Sequence, residues 1–227
     1  YVRVDQACLD DLATCPRLID AGNPAYHLSL VFGLDGDTET PYVAYSLGAH
    51  GGQLMLVELE DDCLVNGPSA CHSRPLASSD YKASNIALVV DSLGDGHVFF
   101  KDEMLDSLNF IHLDNDCRLD PPNSCAVQVI DDSSDVGEGT HAAIDQHDTI
   151  HVAYVDSRFK TVKYALVKDF FSIQSLLPRG IDASGLGIAV DSTSVPHIIY
   201  YDNDLQELSY LSGTFATALE PETQVLK

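Results

Sequence analysis

The chain has 227 residues, enough for one or two domains, and its 45% hydrophobic and 21% charged content is that of a globular protein able to bury a core. Its net charge of −23 repels phosphate backbones and anionic headgroups, which argues against nucleic acid and anionic membrane surfaces as partners. The same charge suits cations, calcium first, and also simply keeps an extracellular protein soluble.

In chain order, the first segment, YVRVDQACLDDLATC, matches only the later half of the unit that follows it, and residues 1–25 read as an outer half unit. Full units are then expected over residues 26–81, 82–138, 139–182 and 183–227. Their openings align as HLSLVFGLDGDTETPYVAYS from His27, NIALVVDSLGDGHVFFKD from Asn85, GTHAAIDQHDTIHVAYVD from Gly139 and GLGIAVDSTSVPHIIYYD from Gly185. Each holds an apolar run, a polar turn with Asp or Gly, and a second apolar run. That second run opens at Tyr42, His97, His151 and His197 and carries an aromatic at Tyr45, Phe100, Tyr154 and Tyr200. Asp91, Asp145 and Asp191 end the first run in three of the units, and Asp102, Asp156 and Asp202 close the second. A third run follows (QLMLVELEDDC, LNFIHLDNDC, VKYALVKD, LSYLSG), then a fourth, weaker one such as AVQVID or TQVLK. Short runs of this kind, bounded by turn residues and almost free of helical periodicity, predict four strands per unit.

A copied four-stranded unit is the blade of a β-propeller. The fold expected is therefore all-β, with four full blades plus a half blade, either as a five-bladed ring or as part of a larger one. The pattern of a small or apolar residue, Asp, turn, His, two apolar residues, Tyr-x-Asp and a later Leu-x-Tyr resembles the repeats of bacterial extracytoplasmic β-propeller proteins. In those proteins a cysteine pair often follows the third strand. The resemblance covers nearly the whole chain and speaks for fold rather than activity, since propellers host many unrelated functions. Trp is absent, so neither the Asp-box of sialidase-like propellers nor the WD dipeptide of WD40 blades is present, and the last two units lack the cysteines.

The six cysteines form three close pairs, Cys8 with Cys15, Cys63 with Cys71 and Cys117 with Cys125, each bracketing a polar loop at one place in the repeat. That recurrence predicts three local disulfides, each stabilising by about 2–3 kcal/mol. Zinc sites instead space their cysteines closely and gather four ligands. Disulfides imply an oxidising compartment, so a secreted, cell-surface or periplasmic location is expected. The sequence opens at Tyr1 and reads as a mature product or as part of a longer chain, and no apolar run approaches the ~20 residues of a membrane helix.

Candidate sites are few. His97, His151 and His197 recur once per blade, so they sit apart from one another and read as strand-start histidines bonded to neighbouring backbone. His27 and His141 open innermost strands, which line a propeller's channel, and two imidazoles there would suit a transition metal, although no third ligand is evident. The turns holding Asp35 and Asp37, and Asp91 and Asp95, resemble fragments of calcium loops but lack the full EF-hand pattern. Asp and Gly at such turns are also ordinary turn formers. The acidic connector from Asp131 to His141 reads either as a cation ligand or as a solvated crossover. No nucleophile elbow, zinc-protease motif, P-loop or dinucleotide fingerprint is present. The function expected is a non-catalytic module that binds a protein or glycan, or assembles with its own copies or a partner strand that completes the half blade. The alternative is an extracellular glycan hydrolase with its site over the channel.

Overall fold

The structure, a computed structural model, describes residues 24–33, 40–48, 50–60, 71–168, 170–213 and, for the backbone alone, 222–226. Sixteen strands form four antiparallel sheets among these residues. The first holds β1 (Ala25–Phe32), β2 (Pro41–Leu47), β3 (Gln53–Glu58) and β4 (Ser73–Pro75). The second holds β5 (Ala83–Val90), β6 (Gly96–Asp102), β7 (Ser107–Leu113) and β8 (Val127–Asp131). The third holds β9 (Val136–Ile144), β10 (Ile150–Asp156), β11 (Thr161–Val167) and β12 (Phe171–Ser175), and the fourth holds β13 (Ala183–Val190), β14 (Pro196–Asp202), β15 (Glu207–Ser212) and β16 (Glu222–Leu226). Within every sheet the strands follow one another as an antiparallel meander, with the third and fourth strands of the first two sheets joined by longer connections.

The sheets stack side by side through their first strands, with β1 beside β5, β5 beside β9, and β9 beside β13. These are propeller blades with their inner strands about a common axis. Alternation along each strand gives every blade two apolar faces. Ala44 and Leu56 of the first blade pack on Leu88, Val98 and Ile111 of the second. Phe99 and Phe110 of the second meet Val152 and Tyr154 of the third, and Ala153 and Tyr164 of the third meet Ile198 and Leu211 of the fourth. Phe99 and Ala153 are both 0% exposed, whereas Ile199, at the matching place on the fourth blade, is 42% exposed. At the other end Leu28, Leu30 and Phe32 of β1 are 63%, 49% and 47% exposed, while Val43, Tyr45, Val57 and Leu59 further out on the same blade are buried. The arc of four described blades thus presents an open apolar row at each end.

Each inner strand carries a left-handed residue near its start, at His27 (φ 51°), Asn85 (48°), Gly139 (56°) and Gly185 (57°), beside a shift of register. Gly and Asn are the residues that adopt this conformation most cheaply, and the bulge turns the strand into the axis. Asn85 uses its position to tie blades together. Its Oδ1 accepts from Gly139 N at 3.0 Å and its Nδ2 donates to Glu138 Oε2 at 3.1 Å.

Cys117 and Cys125 form a disulfide. The bracketed segment, expected as a plain polar loop, opens with a short helix, α1 (Asn115–Leu119), because Asp114 caps it by accepting from Cys117 N at 2.8 Å. Cys71 is also disulfide-bonded. Cys8, Cys15 and Cys63, together with Asp35 and Asp37, lie outside the described residues. No helix of the described residues is long and apolar enough to cross a membrane.

Candidate functional site

The turn between the first two strands of a blade is built by its leading aspartate. Asp91 Oδ1 accepts from Leu93 N at 2.9 Å and Asp95 N at 3.0 Å. Asp145 does the same for His147 N and Thr149 N, and Asp191 for Thr193 N and Val195 N. In the second and fourth blades the other carboxylate oxygen faces the strand-start histidine within hydrogen-bond reach, 2.9 Å from Asp91 Oδ2 to His97 Nε2 and 3.3 Å from Asp191 Oδ2 to His197 Nε2. In the third, Asp145 Oδ2 and His151 Nε2 stand 3.6 Å apart. The histidines were expected to bond backbone, but their partners are side chains. His151 Nδ1 meets Tyr164 Oη at 2.6 Å, and His197 Nδ1 meets Tyr210 Oη. Third and fourth blades therefore share an Asp–His–Tyr chain.

The second blade departs from this pattern at two places. Phe110 stands where the others have Tyr164 and Tyr210, so His97 Nδ1 is buried with no hydrogen-bond partner and the imidazole stacks on the phenyl ring at 5.8 Å. His112 pairs across the strands with His97, where the first, third and fourth blades have Glu58, Leu166 and Ser212. The two imidazoles stack with centroids 4.9 Å apart. His112 Nε2 lies 3.3 Å from Asp95 Oδ2 without the geometry of a hydrogen bond. Asp91, His97 and His112 each offer a ligand atom, and these atoms all lie within 4.8 Å of one another.

This cluster forms one wall of a cleft of about 470 Å³ between the second and third blades, a size suited to a small ligand. Phe171 of β12, Lys168 and Asp148 line the opposite side, and Gln128 lies on β8. Phe110 and Phe171 meet edge to face at 6.0 Å. Asp148 holds the upper rim, accepting from Ser92 N at 2.8 Å and Ser92 Oγ at 2.6 Å across the blade boundary. Burial pushes the His97 and His151 imidazoles below the usual histidine range against the pull of their aspartates, so both favour the neutral form. Burial also opposes ionisation of Asp91 and Asp145, yet hydrogen bonds prevail: Asp91 is held low by His97 and its turn N–H groups, and Asp145 by Thr149 N, Ser194 and His147 N at about 2.

Of the residues singled out in the sequence, Asp91 and Asp95 sit in this cleft. His27 and His141 lie on β1 and β9, with β5 between those strands, and neither joins a group of three metal-ligating side chains among the described residues. Three acids of the 131–141 connector are answered by lysines. Asp131 accepts from Lys163 Nζ at 2.5 Å and from Tyr154 Oη at 2.7 Å, while Lys101 Nζ reaches Asp135 at 3.2 Å and Glu138 at 2.8 Å. Sequence reasoning missed His112 and the role of Phe110. Aligning the third strands on the paired second strands isolates both as the odd residues of their columns.

No protein-family model and no curated relative matches the chain. Among solved structures it resembles a protein of unknown function from Dyadobacter fermentans (TM-score 0.59, 8% identity, 88% of this chain and 68% of that one). It also resembles the six-bladed β-propeller lectin of Aleuria aurantia (0.55, 11%, 88% and 62%). A third is an exo-β-1,3-galactanase of Phanerochaete chrysosporium (0.57, 10%, 91% and 52%). At these identities the likeness establishes the propeller fold alone, and the chain spans about half to two thirds of these proteins' lengths.

Proposed function

We propose that this chain is a secreted, non-catalytic propeller module related to the bacterial extracytoplasmic repeat proteins, and that it binds a glycan in the cleft between its second and third blades. The carrying observation is the cleft's composition. The partly exposed ring of Phe171, backed by the buried Phe110, offers an apolar surface to the C–H groups of a sugar, and Asp91, Asp148, Gln128 and Lys168 surround it with acceptors and donors for hydroxyls. Secretion is supported by the disulfide. Among the proteins of like fold, one is a lectin described by its fucose recognition and another was solved with β-1,3-galactotriose, which agrees with a glycan ligand without supplying it. The test is a glycan array read with the wild-type chain and Phe171→Ala. Binding to a defined glycan that is lost in the variant is expected. A blank array, or equal binding by both, overturns the reading, and release of sugar from a polysaccharide panel favours the hydrolytic alternative.

A second reading, self-assembly, has its own observation in the open apolar rows. Leu28, Leu30 and Phe32 at one end and Ile199, Tyr201 and Leu208 at the other are the two kinds of face that meet at every internal blade boundary. A second copy would cover both rows through head-to-tail contacts, and a closed pair leaves neither exposed. Light scattering at micromolar concentration is expected to give a dimer mass, and a strictly monomeric chain contradicts this reading.

A further inference from the structure

We propose that Asp91, His97 and His112 form a site for one divalent transition-metal ion of the zinc class on the wall of the cleft. Two imidazoles and a carboxylate are the ligand types such ions take, and three protein ligands leave a position for water or a ligand atom. Three observations converge. First, the ligand atoms already lie within 4.8 Å of one another. Around zinc, with bonds of about 2.0–2.2 Å, ligand atoms stand roughly 3.3–3.5 Å apart, so small side-chain rotations close the set. Second, Asp91 Oδ2 and His97 Nε2 at 2.9 Å share a single proton, and a cation entering there takes that proton's place and releases it to solvent. Asp95 Oδ2, 3.3 Å from His112 Nε2, adds negative charge on the far side.

The third observation is the contrast between blades, which separates this cluster from a structural motif. The third and fourth blades carry the same aspartate and histidine but spend the second imidazole nitrogen on a tyrosine hydroxyl and put Leu166 or Ser212 opposite. Of the three blades that carry this aspartate and histidine, only the second replaces both; there His97 Nδ1 and His112 Nε2 are buried without a hydrogen-bond partner, as is His151 Nε2 in the third blade. Burying a polar group without a partner is unfavourable. What singles out the second blade is His112, a second imidazole opposite His97 whose unpartnered Nε2 joins the side of His97 that already faces Asp91, where the third and fourth blades have no ligating side chain.

The inference goes beyond the glycan reading and is tested with the metal alone, so either one can fail without the other. The full 227-residue chain, stripped with chelator, is titrated with Zn²⁺ by calorimetry and with Co²⁺ by visible absorption. One ion per chain and a four- or five-coordinate cobalt spectrum are expected. His112→Leu, which installs the third blade's residue, is expected to weaken Zn²⁺ binding by on the order of 100-fold, the upper end of what even an outer partner's loss costs. His197→Gln, the matching histidine of the fourth blade, leaves affinity unchanged. Should either variant fold poorly, the wild-type chain supplies the readout, since Zn²⁺ must shift the imidazole ¹⁵N resonances of His97 and His112 and spare those of His151 and His197. No Zn²⁺ binding, equal affinity in His112→Leu, equal loss in His197→Gln, or shifts at other histidines overturns the proposal.

Discussion

Phe110 and His112 set the second blade apart, and each makes a measurable difference. A hydroxyl added at Phe110 has His97 Nδ1 as its nearest counterpart to the Tyr164 and Tyr210 bonds, since Phe110 holds their place in the strand and its ring stands 5.8 Å from the imidazole. Phe110→Tyr is therefore expected to satisfy His97 Nδ1 and raise stability by about 1 kcal/mol in chemical denaturation. A loss of stability would mean that the imidazole is otherwise occupied. Titration follows from the same side chains. His97 and His151 sit below the unfolded value of about 6.5, so the unfolded chain binds more protons and stability falls as pH drops below that value. Asp145, at about 2, and Asp131 are depressed, so their stabilisation is complete above about pH 4 and is lost as pH falls through their folded values. Melting temperature against pH should thus decline in two stages, and Asp145→Asn should flatten the second. A curve level from pH 7 to 2.5 contradicts both assignments.

Strands and turns were the readable part of the sequence. Alternation in runs such as HVFFKD and IHVAYVD carries two buried faces with it, and Asp91, Asp145 and Asp191 mark turns because their carboxylates bind the backbone two and four residues on. The cleft was harder to read, because it arises where one copy differs from the others, at a register visible only after strands two and three are paired. The helix α1 was hidden in a loop whose Asp114 cap looks like any other turn aspartate. Ties between blades were equally hidden, since they join elements far apart in sequence. Lys163 of β11 reaches back to Asp131 at the end of β8 and stands 3.7 Å from Asp156 on β10, with all three side chains largely buried. Lys163→Met leaves two buried carboxylates without their cation and is expected to cost about 3–5 kcal/mol, read from the denaturation midpoint. A change under ~1 kcal/mol would show that solvent reaches these acids.

The open rows dominate the behaviour of the assembled arc. Phe99 and Ile199 hold the same place in their blades and differ because a following blade covers the first. The assembly reading predicts that Leu30→Ser and Ile199→Ser abolish the dimer in light scattering while the chain keeps its circular dichroism spectrum. Dimers that survive both substitutions would contradict it. Repetition supplies the scaffold of such a molecule, and among the described residues only the boundary between the second and third blades carries paired imidazoles.

The most direct test makes the second blade resemble the third. The Phe110→Tyr, His112→Leu double variant installs the tyrosine and leucine of the third blade, and it is compared with wild type by calorimetric titration of Zn²⁺. We expect the double variant to melt at least as high as wild type and to lose on the order of 100-fold in Zn²⁺ affinity. Equal affinity in the two proteins, or no Zn²⁺ bound by either, would contradict the account.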